Sequence, residues 1–442
     1  MTDLVHARTD LRGGAALVED VARALQDGRM PAGVYNDVDI FEMEKHRIFR
    51  RSWAFLAHES EIPNPGDYVV RYIVDDSFIV VRDEHGEIRV LFNACRHRGM
   101  QVCRSEVGNA SHFRCPYHAW TYKNDGALRG VPFRGRIYGS NLDRSQWGLM
   151  PIPRMDSYDG LIFGNLDLEA PSLIEYLGGA EWYLNFYTRR SAAGLEFVGA
   201  PQRWVVSADW KLATENFIGD AYHIAFSHRS TIDAGITAVS GYDFHLESPQ
   251  WVTDRAGGGL FRIPPGSYAG CPPELVAEWK RNLDPDQLHM LEELSLIPSH
   301  GSIFPNLSFL NAPAAPEADG IPAPYTTFRV WQPVGPGRIE IWSWFAVEKE
   351  ASQEFKDASR KAYTLSMGAS GTVEQDDAEN WTSITRVARG NMANDFYLNF
   401  SMGLNHLEPI PDWRGPGKAY PIAYTEFAHR QMWSTWLDYM TT

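Results

Sequence analysis

The stretch from Trp210 to His228 constrains the fold of this 442-residue chain more than any other. Read as a helix, it places Asn216, Asp220 and His223 at i, i+4 and i+7, one stripe of a 3.6-residue period. Phe217, Ile218, Ile224 and Phe226 flank the stripe, so these polar groups are headed for an interior. An amide, a carboxylate and an imidazole are rarely buried without partners. A metal ion is one partner; the alternative is a core helix whose histidines are satisfied by hydrogen bonds. His228 follows His223 by five positions, a rotation of about 140° in an ideal helix. Both imidazoles can meet one ion only if the helix ends or bulges there, and a carboxylate from elsewhere must complete the site.

At this length two domains are expected. An apolar fraction of 44% and a charged fraction of 22% are those of a globular protein. The net charge of −15, with no basic run, argues against a nucleic-acid surface. No apolar run approaches the roughly 20 residues of a membrane span, and Met1–His6 lacks the basic-then-apolar pattern of a secretory leader. The expected location is the cytoplasm. Four cysteines, Cys95, Cys103, Cys115 and Cys271, are too few for a disulfide framework and read as thiols or metal ligands.

Helical spacing is expected over residues 18–27 and again over 37–55. Period-two patterning then takes over at 68–74, 77–82 and 88–92 and continues through 113–122 and 161–166, a meander of short antiparallel strands. A small β domain is therefore expected over residues 45–165. In the remainder, 1–44 and 166–442, strands are expected at 202–206, 327–331 and 339–345, with helices at 210–226, 273–283 and 353–367. The Pro- and Gly-rich stretches 255–273 and 311–324 read as loops over a site. Gly257-Gly258-Gly259 lacks the context of a dinucleotide-binding turn.

Within the β meander, Cys95-Arg96-His97-Arg98-Gly99 is followed by Cys115-Pro116-Tyr117-His118. Two thiolates and two imidazoles are what an iron–sulfur centre with mixed ligation requires, two Cys on one iron and two His on the other. Structural zinc uses the same inventory, but usually pairs Cys with Cys at short spacing, whereas each pair here is mixed. Cys103 and Cys271 have no ligand-spaced partner and read as small buried apolar side chains.

These two segments, with Ala119-Trp120 after the second, resemble the Rieske cluster motif. Trp210–His228 resembles the mononuclear-iron segment of the α (large, oxygenase) subunit of Rieske non-haem iron aromatic ring-hydroxylating dioxygenases. The likeness runs from about Pro31 to Asn380. It implies an α+β fold: a small antiparallel β Rieske [2Fe-2S] domain at 45–165, and a larger catalytic domain with a mostly antiparallel sheet flanked by helices. Family members usually have Gly where this chain has Ala119, a change read as adding only a methyl. The missing carboxylate falls in Glu374-Gln375-Asp376-Asp377. From the residues alone Glu374 and Asp376 are as capable as Asp377, and the run also reads as a solvated helix face; the resemblance assigns Asp377.

The resemblance further implies that Cys95, His97, Cys115 and His118 hold the cluster and that His223, His228 and Asp377 hold ferrous iron. It implies that Asp220 bridges His223 to His118 of a neighbouring subunit, with Asn216 as a hydrogen-bonding group near the iron. Phe217, Ile224, Leu310, Met367 and Val373 would line the substrate pocket beside His300, Val373 standing where some relatives carry a bulky aromatic and so favouring a larger ring. The implied activity adds both atoms of O2 to an aromatic ring, giving a cis-dihydrodiol. Electrons would come from NADH through a reductase and a ferredoxin, and a small β subunit would complete an α3β3 hexamer. A (polycyclic) hydrocarbon suits an apolar pocket; an aromatic acid such as a phthalate would need a cationic clamp, for which Arg255 and Arg262 are candidates. The alternatives are a Rieske monooxygenase or demethylase, which shares all these ligands, and a non-catalytic electron-transfer or zinc-stabilised protein.

Overall fold

The computed structural model describes residues 13–236, 244–315 and 320–442. They form two compact units, one of Phe49–Leu173 and one of the described residues up to Ile48 together with Ile174–Thr442. In the smaller unit, four antiparallel strands run in the order Ile88–Phe92, Asp76–Arg82, Asp67–Ile73, Val107–Asn109. Two three-stranded sheets accompany them, one of His112–Arg114, Thr121–Lys123 and Leu128–Gly130, the other of Arg154–Tyr158, Leu161–Asn165 and Ala54–His58. Alternate residues of these strands converge on one core: Val70, Ile79, Val81 and Leu91 pack with Phe113, Trp120 and Tyr122 around Cys95 and Cys115. The unit reaches past residue 165 because the Trp53 indole donates to the Pro171 carbonyl at 2.9 Å and Arg154 donates to that of Ala170.

The helix expected over 37–55 is shorter. Asp37 caps it by accepting from the Ile40 N–H at 2.9 Å, the helix spans Val38–Glu44, and it widens into a π-turn at Lys45–Phe49. Ala54–His58 is a strand buried along its whole length, and such a strand carries the unbroken apolar run that period-two reasoning misses.

The larger unit is built on a nine-stranded antiparallel sheet. Its central strands are β1 (Gln250–Thr253), β2 (Ala256–Arg262), β3 (Leu296–Ile303), β4 (Leu307–Ala314), β5 (Ala323–Gly335) and β6 (Arg338–Glu348), adjacent in that order. Four helices position the site: α1 (Trp210–Gly219), α2 (Gln353–Met367), α3 (Thr372–Ala388) and α4 (Phe427–Thr441). Residues 256–262, 311–314 and 323–324 are therefore strand, while most of the other described residues of 255–273 and 311–324 are irregular; residues 316–319 lie outside the described set. The triple glycine sits in β2 because helices and a ring press on its backbone. A Cβ at Gly257 would stand 2.7 Å from that of Ala428 in α4, and one at Gly259 would stand 2.3 Å from the His300 ring.

α1 runs through the interior, with only Asn216 among its residues partly exposed. Its buried Lys211 ammonium bonds Glu44 at 2.8 Å and Asp209 at 3.2 Å, while Glu44 also accepts from the indoles of Trp210 and Trp436 at 2.8 Å each. This cluster binds the N-terminal segment, α1 and α4 together. Removing one partner of a buried pair leaves an uncompensated charge, at a cost of about 3–5 kcal/mol. Lys211→Met is accordingly expected to lower unfolding stability by about that amount, measurable by chemical denaturation, and Lys211→Met with Glu44→Gln is expected to recover much of the loss.

Candidate metal centres and the adjoining cavity

In the small unit, the two Cys/His segments fold into the same turn. The Cys95 N–H donates to the Met100 carbonyl and the Gly99 N–H returns to Cys95, both at 2.8 Å. Likewise the Cys115 N–H donates to Trp120 at 2.8 Å and the Ala119 N–H to Cys115 at 3.0 Å. Both cysteines are buried, while His97 is half-buried and His118 exposed, so thiols form the floor of a cup and imidazoles its rim. The imidazole centroids are 4.6 Å apart, and Trp120 stacks on His97. The fifth residue of each turn is left-handed, φ 71° at Gly99 and 58° at Ala119. The alanine thus adds more than a methyl: it adopts a conformation that favours glycine, at a cost of about 1 kcal/mol.

Among the described residues, three or more potential ligand atoms gather within 4.8 Å of one another at His223, His228 and Asp377. The Cys/His quartet is more widely spread. Four ligands of one tetrahedral zinc would lie within about 4 Å of each other, so the quartet does not have the spacing of a single zinc site. The Tyr122 hydroxyl lies 3.2 Å from Cys95 Sγ and accepts from the Arg96 N–H at 3.1 Å. That acceptor role directs the phenolic hydrogen at the sulfur, where it would stabilise the electron-rich reduced form of an iron–sulfur cluster held by Cys95. One hydrogen bond of about 1 kcal/mol corresponds to about 40 mV for one electron. Tyr122→Phe is expected to lower the cluster's midpoint potential by about that much in a redox titration followed by electron paramagnetic resonance.

In the large unit, the expected single helix breaks well before His228. The Gln250 side chain donates to the Gly219 carbonyl at 2.9 Å, and a Cβ on Gly219 would stand 2.6 Å from that amide. The carbonyl so engaged also accepts from the Ala221 N–H at 3.0 Å, which makes Asp220 (φ −81°, ψ 76°) the centre of an inverse γ-turn. The Asp220 carboxylate then accepts the His223 N–H at 3.1 Å, and a new short helix spans Ile224–Ser227. The stripe at 216, 220 and 223 is therefore not continuous helix, and the bend turns His223 towards His228.

Asp377 arrives from α3. Its Oδ1 lies 3.3 Å from Nε2 of His223 and 3.3 Å from Nε2 of His228, and it has no hydrogen-bond partner although the residue is 2% exposed. Nitrogen and oxygen ligands about 2.1 Å from a common ion stand about 3.0–3.4 Å from one another, so this trio fits a metal. Burial pushes the Asp377 carboxyl up, but the His228 and His223 imidazoles outweigh it and hold the group far below the usual carboxylate range. Behind the trio, Asp220 Oδ2 is 3.3 Å from Nδ1 of His223 and Asp376 Oδ2 is 3.2 Å from Nδ1 of His228. Each carboxylate favours a proton on Nδ1, which leaves the Nε2 lone pair for an ion. Glu374 is engaged elsewhere, its carboxylate 2.5 Å from the buried Arg329 guanidinium. Helix register thus separates three carboxylates that looked equivalent in sequence. The Asn216 amide nitrogen lies 3.5 Å from His223 Nε2.

A cavity of about 450 Å³ opens beside this trio. Phe217, Ile224, His300, Leu310, Met367 and Val373 all line it, with Asn216, Tyr325 and Ser366 as further polar members. Tyr325 and Ser366 carried no motif; the pairing of β5 with β4 brings in the first, and the packing of α2 on β5 brings in the second. Arg262 borders the cavity with its guanidinium donating to the carbonyls of Glu247 and Leu294, both at 2.9 Å, and Arg255 lies over the Tyr176 ring. These contacts do not make the cationic clamp an aromatic acid needs.

Residues 52–144 match the Rieske [2Fe-2S] domain family, and residues 175–441 match the ring hydroxylating alpha subunit catalytic domain family. The chain is 36% identical to the N,N-dimethyl phenylurea N-demethylase subunit alpha of Sphingobium sp. (strain YBL2), over 95% of this chain and 93% of that one. It is 36% identical to the biphenyl 2,3-dioxygenase subunit alpha of Rhodococcus jostii (strain RHA1), over 96% and 92%. Among solved structures, naphthalene 1,2-dioxygenase from Rhodococcus sp. bound to indole superposes with a TM-score of 0.92 at 48% identity, covering 96% of this chain and 98% of that one. The two matched families and these full-length likenesses establish that the chain belongs to the Rieske non-haem iron ring-hydroxylating oxygenases, as an alpha subunit with a [2Fe-2S] centre and a mononuclear iron.

Proposed function

We propose that this chain is the terminal oxygenase subunit of an aromatic-ring dioxygenase, with Cys95, His97, Cys115 and His118 holding the cluster and His223, His228 and Asp377 holding ferrous iron. The observation that carries this reading is the convergence of two imidazoles and one carboxylate at the edge of an apolar cavity. When bound, the two metal centres would supply single electrons and activate dioxygen for addition across two adjacent ring carbons. The protein's part is placement. Asp220 and Asp376 orient the two imidazoles, and Asn216 offers an amide beside His223. Phe217, Ile224, Leu310, Met367 and Val373 exclude water and hold a planar ring, with His300 beside them as a polar neighbour.

The Asp220 side chain is 33% exposed, next to the exposed rings of Tyr222 and Phe226. This supports its assignment as the bridge from His223 to the partner subunit's His118, and with it a trimeric arrangement. A small β subunit (α3β3), a ferredoxin and an NADH-dependent reductase complete the system, in the cytoplasm; no helix among the described residues is long and apolar enough to cross a membrane. Naphthalene and biphenyl dioxygenase subunits among the similar proteins support a hydrocarbon-sized aromatic substrate and a cis-dihydrodiol product. The phenylurea demethylase likeness supports a second reading, oxidative N-demethylation with one oxygen incorporated.

Turnover under 18O2 of the reconstituted system with naphthalene, phenanthrene, biphenyl and phthalate separates these. Two labelled oxygens in a diol of a hydrocarbon ring are expected; turnover of phthalate alone would overturn the hydrocarbon assignment. For the ligand set, Asp377→Ala is expected to lower iron from about three to about two per chain, with sulfide and the cluster's visible spectrum intact. Asp376→Asn is expected to keep all the iron but bind the third more weakly, by about 10- to 100-fold in metal titration.

A further inference from the structure

One wall of the cavity is a face of the sheet. The pairings His300 with Leu310, Leu310 with Thr327, Ala312 with Tyr325 and Ser308 with Arg329 set all these side chains on that face. Its polar groups mostly satisfy one another. The hydroxyls of Ser302 and Ser308 are 2.6 Å apart, Ser302 reaches the Thr214 carbonyl at 3.3 Å, and the Trp331 indole donates to Ser308 at 2.8 Å. Ser343 Oγ lies 3.3 Å from Thr327 Oγ1 and 2.8 Å from the Tyr363 hydroxyl, with backbone carbonyls at 3.2 Å and 3.5 Å accepting from Tyr363 and Thr327. Arg329 is held by Glu374 and by the Met367 carbonyl.

Tyr325 and Ser366 differ. Each is 3% exposed, both border the cavity, and their hydroxyls are 2.9 Å apart. Two hydroxyls carry two hydrogens, and the bond between them uses one. Among the described residues neither side chain makes a second hydrogen bond, and the cavity is the space where another partner fits. A hydrocarbon filling that space leaves a buried donor unmatched, whereas a ring carrying an acceptor atom satisfies it. The pair is neutral, so it supplies a hydrogen bond but no charge to balance a buried anion.

We infer that Tyr325 and Ser366 form a hydrogen-bond donor subsite, so that among planar aromatics of hydrocarbon size the cavity prefers those carrying an acceptor atom such as a ring carbonyl or bridging ether oxygen. This rests on the aromatic-substrate reading above and narrows it. Fluorene and 9-fluorenone share one tricyclic skeleton and differ in the acceptor, so their dissociation constants for the holoenzyme, read by quenching of tryptophan fluorescence, isolate the subsite. The wild type is expected to bind 9-fluorenone about five- to tenfold more tightly, and Tyr325→Phe/Ser366→Ala to bring the ratio near one. A wild-type ratio of one or less, or an unchanged ratio in a double variant with full iron and sulfide content, overturns the subsite. Should the double variant lose its metal centres, the wild type decides by infrared spectroscopy: the carbonyl stretch of bound 9-fluorenone is expected below its position in an apolar solvent, and an unshifted band overturns the proposal. If the holoenzyme keeps the binding preference but converts neither ring to a diol, it is the assigned reaction that fails, and the subsite stands.

Discussion

The metal site of the large unit depends on one hydrogen bond, that from the Gln250 amide to the Gly219 carbonyl. An α-helix running on from Trp210 would carry His223 and His228 about 140° apart around its axis. By engaging the carbonyl at Gly219, Gln250 ends the helix, Asp220 turns the chain, and the imidazole centroids come to 5.1 Å. Gln250 is itself held, donating also to the Thr425 carbonyl at 3.0 Å and accepting from the Thr425 hydroxyl and the Ala428 N–H. The bend is thus set by the start of the last helix, packed against a residue that must be glycine because a Cβ there would meet both Gln250 and Ala428.

A second set of contacts carries the carboxylate to the bend. Asn380 of α3 donates to Ser227 at 3.0 Å, and Thr385 accepts the Asp209 N–H at 3.1 Å, so α3 is tied to both ends of the broken segment. Arg329 ties its first turn to the sheet by gripping Glu374 and, at the end of α2, the Met367 carbonyl. Burial pushes Glu374 up to about 7, with Arg329 pulling against that shift, so the brace is a buried hydrogen bond from the guanidinium to a carboxyl poised near its titration point at neutral pH. These anchors are polar and, apart from the half-buried Asn380–Ser227 pair, buried. They give the site one geometry where apolar packing alone tolerates several.

In the small unit the constraint is repetition: two turns of the same hydrogen-bonding pattern, each with a left-handed fifth residue, bring two thiols and two imidazoles to one cup. Ala119 accepts the strain that Gly99 avoids. The strand core beneath, with Tyr122 reaching back to Cys95, holds that residue where an isolated turn would relax.

Residue type and spacing alone marked the two Cys/His segments, the strand meander around them and a polar stripe in the helix region for which a metal was one of two readings, because sulfur and imidazole chemistry and period-two burial are local properties. Sequence also marked a carboxylate run at 374–377, within which the family resemblance pointed to Asp377 but residue type alone did not choose. The choice fell to tertiary structure: Glu374 meets Arg329, Asp376 backs His228 from the side, and only Asp377 faces both Nε2 atoms. The same holds for the glycines of β2, which looked like a loop and are a strand stripped of side chains by α4 and His300. Tyr325 and Ser366 lie 41 positions apart with no motif between them. Their meeting at the cavity wall follows from strand register and helix packing, which are set by contacts distant in sequence and so leave no local signature.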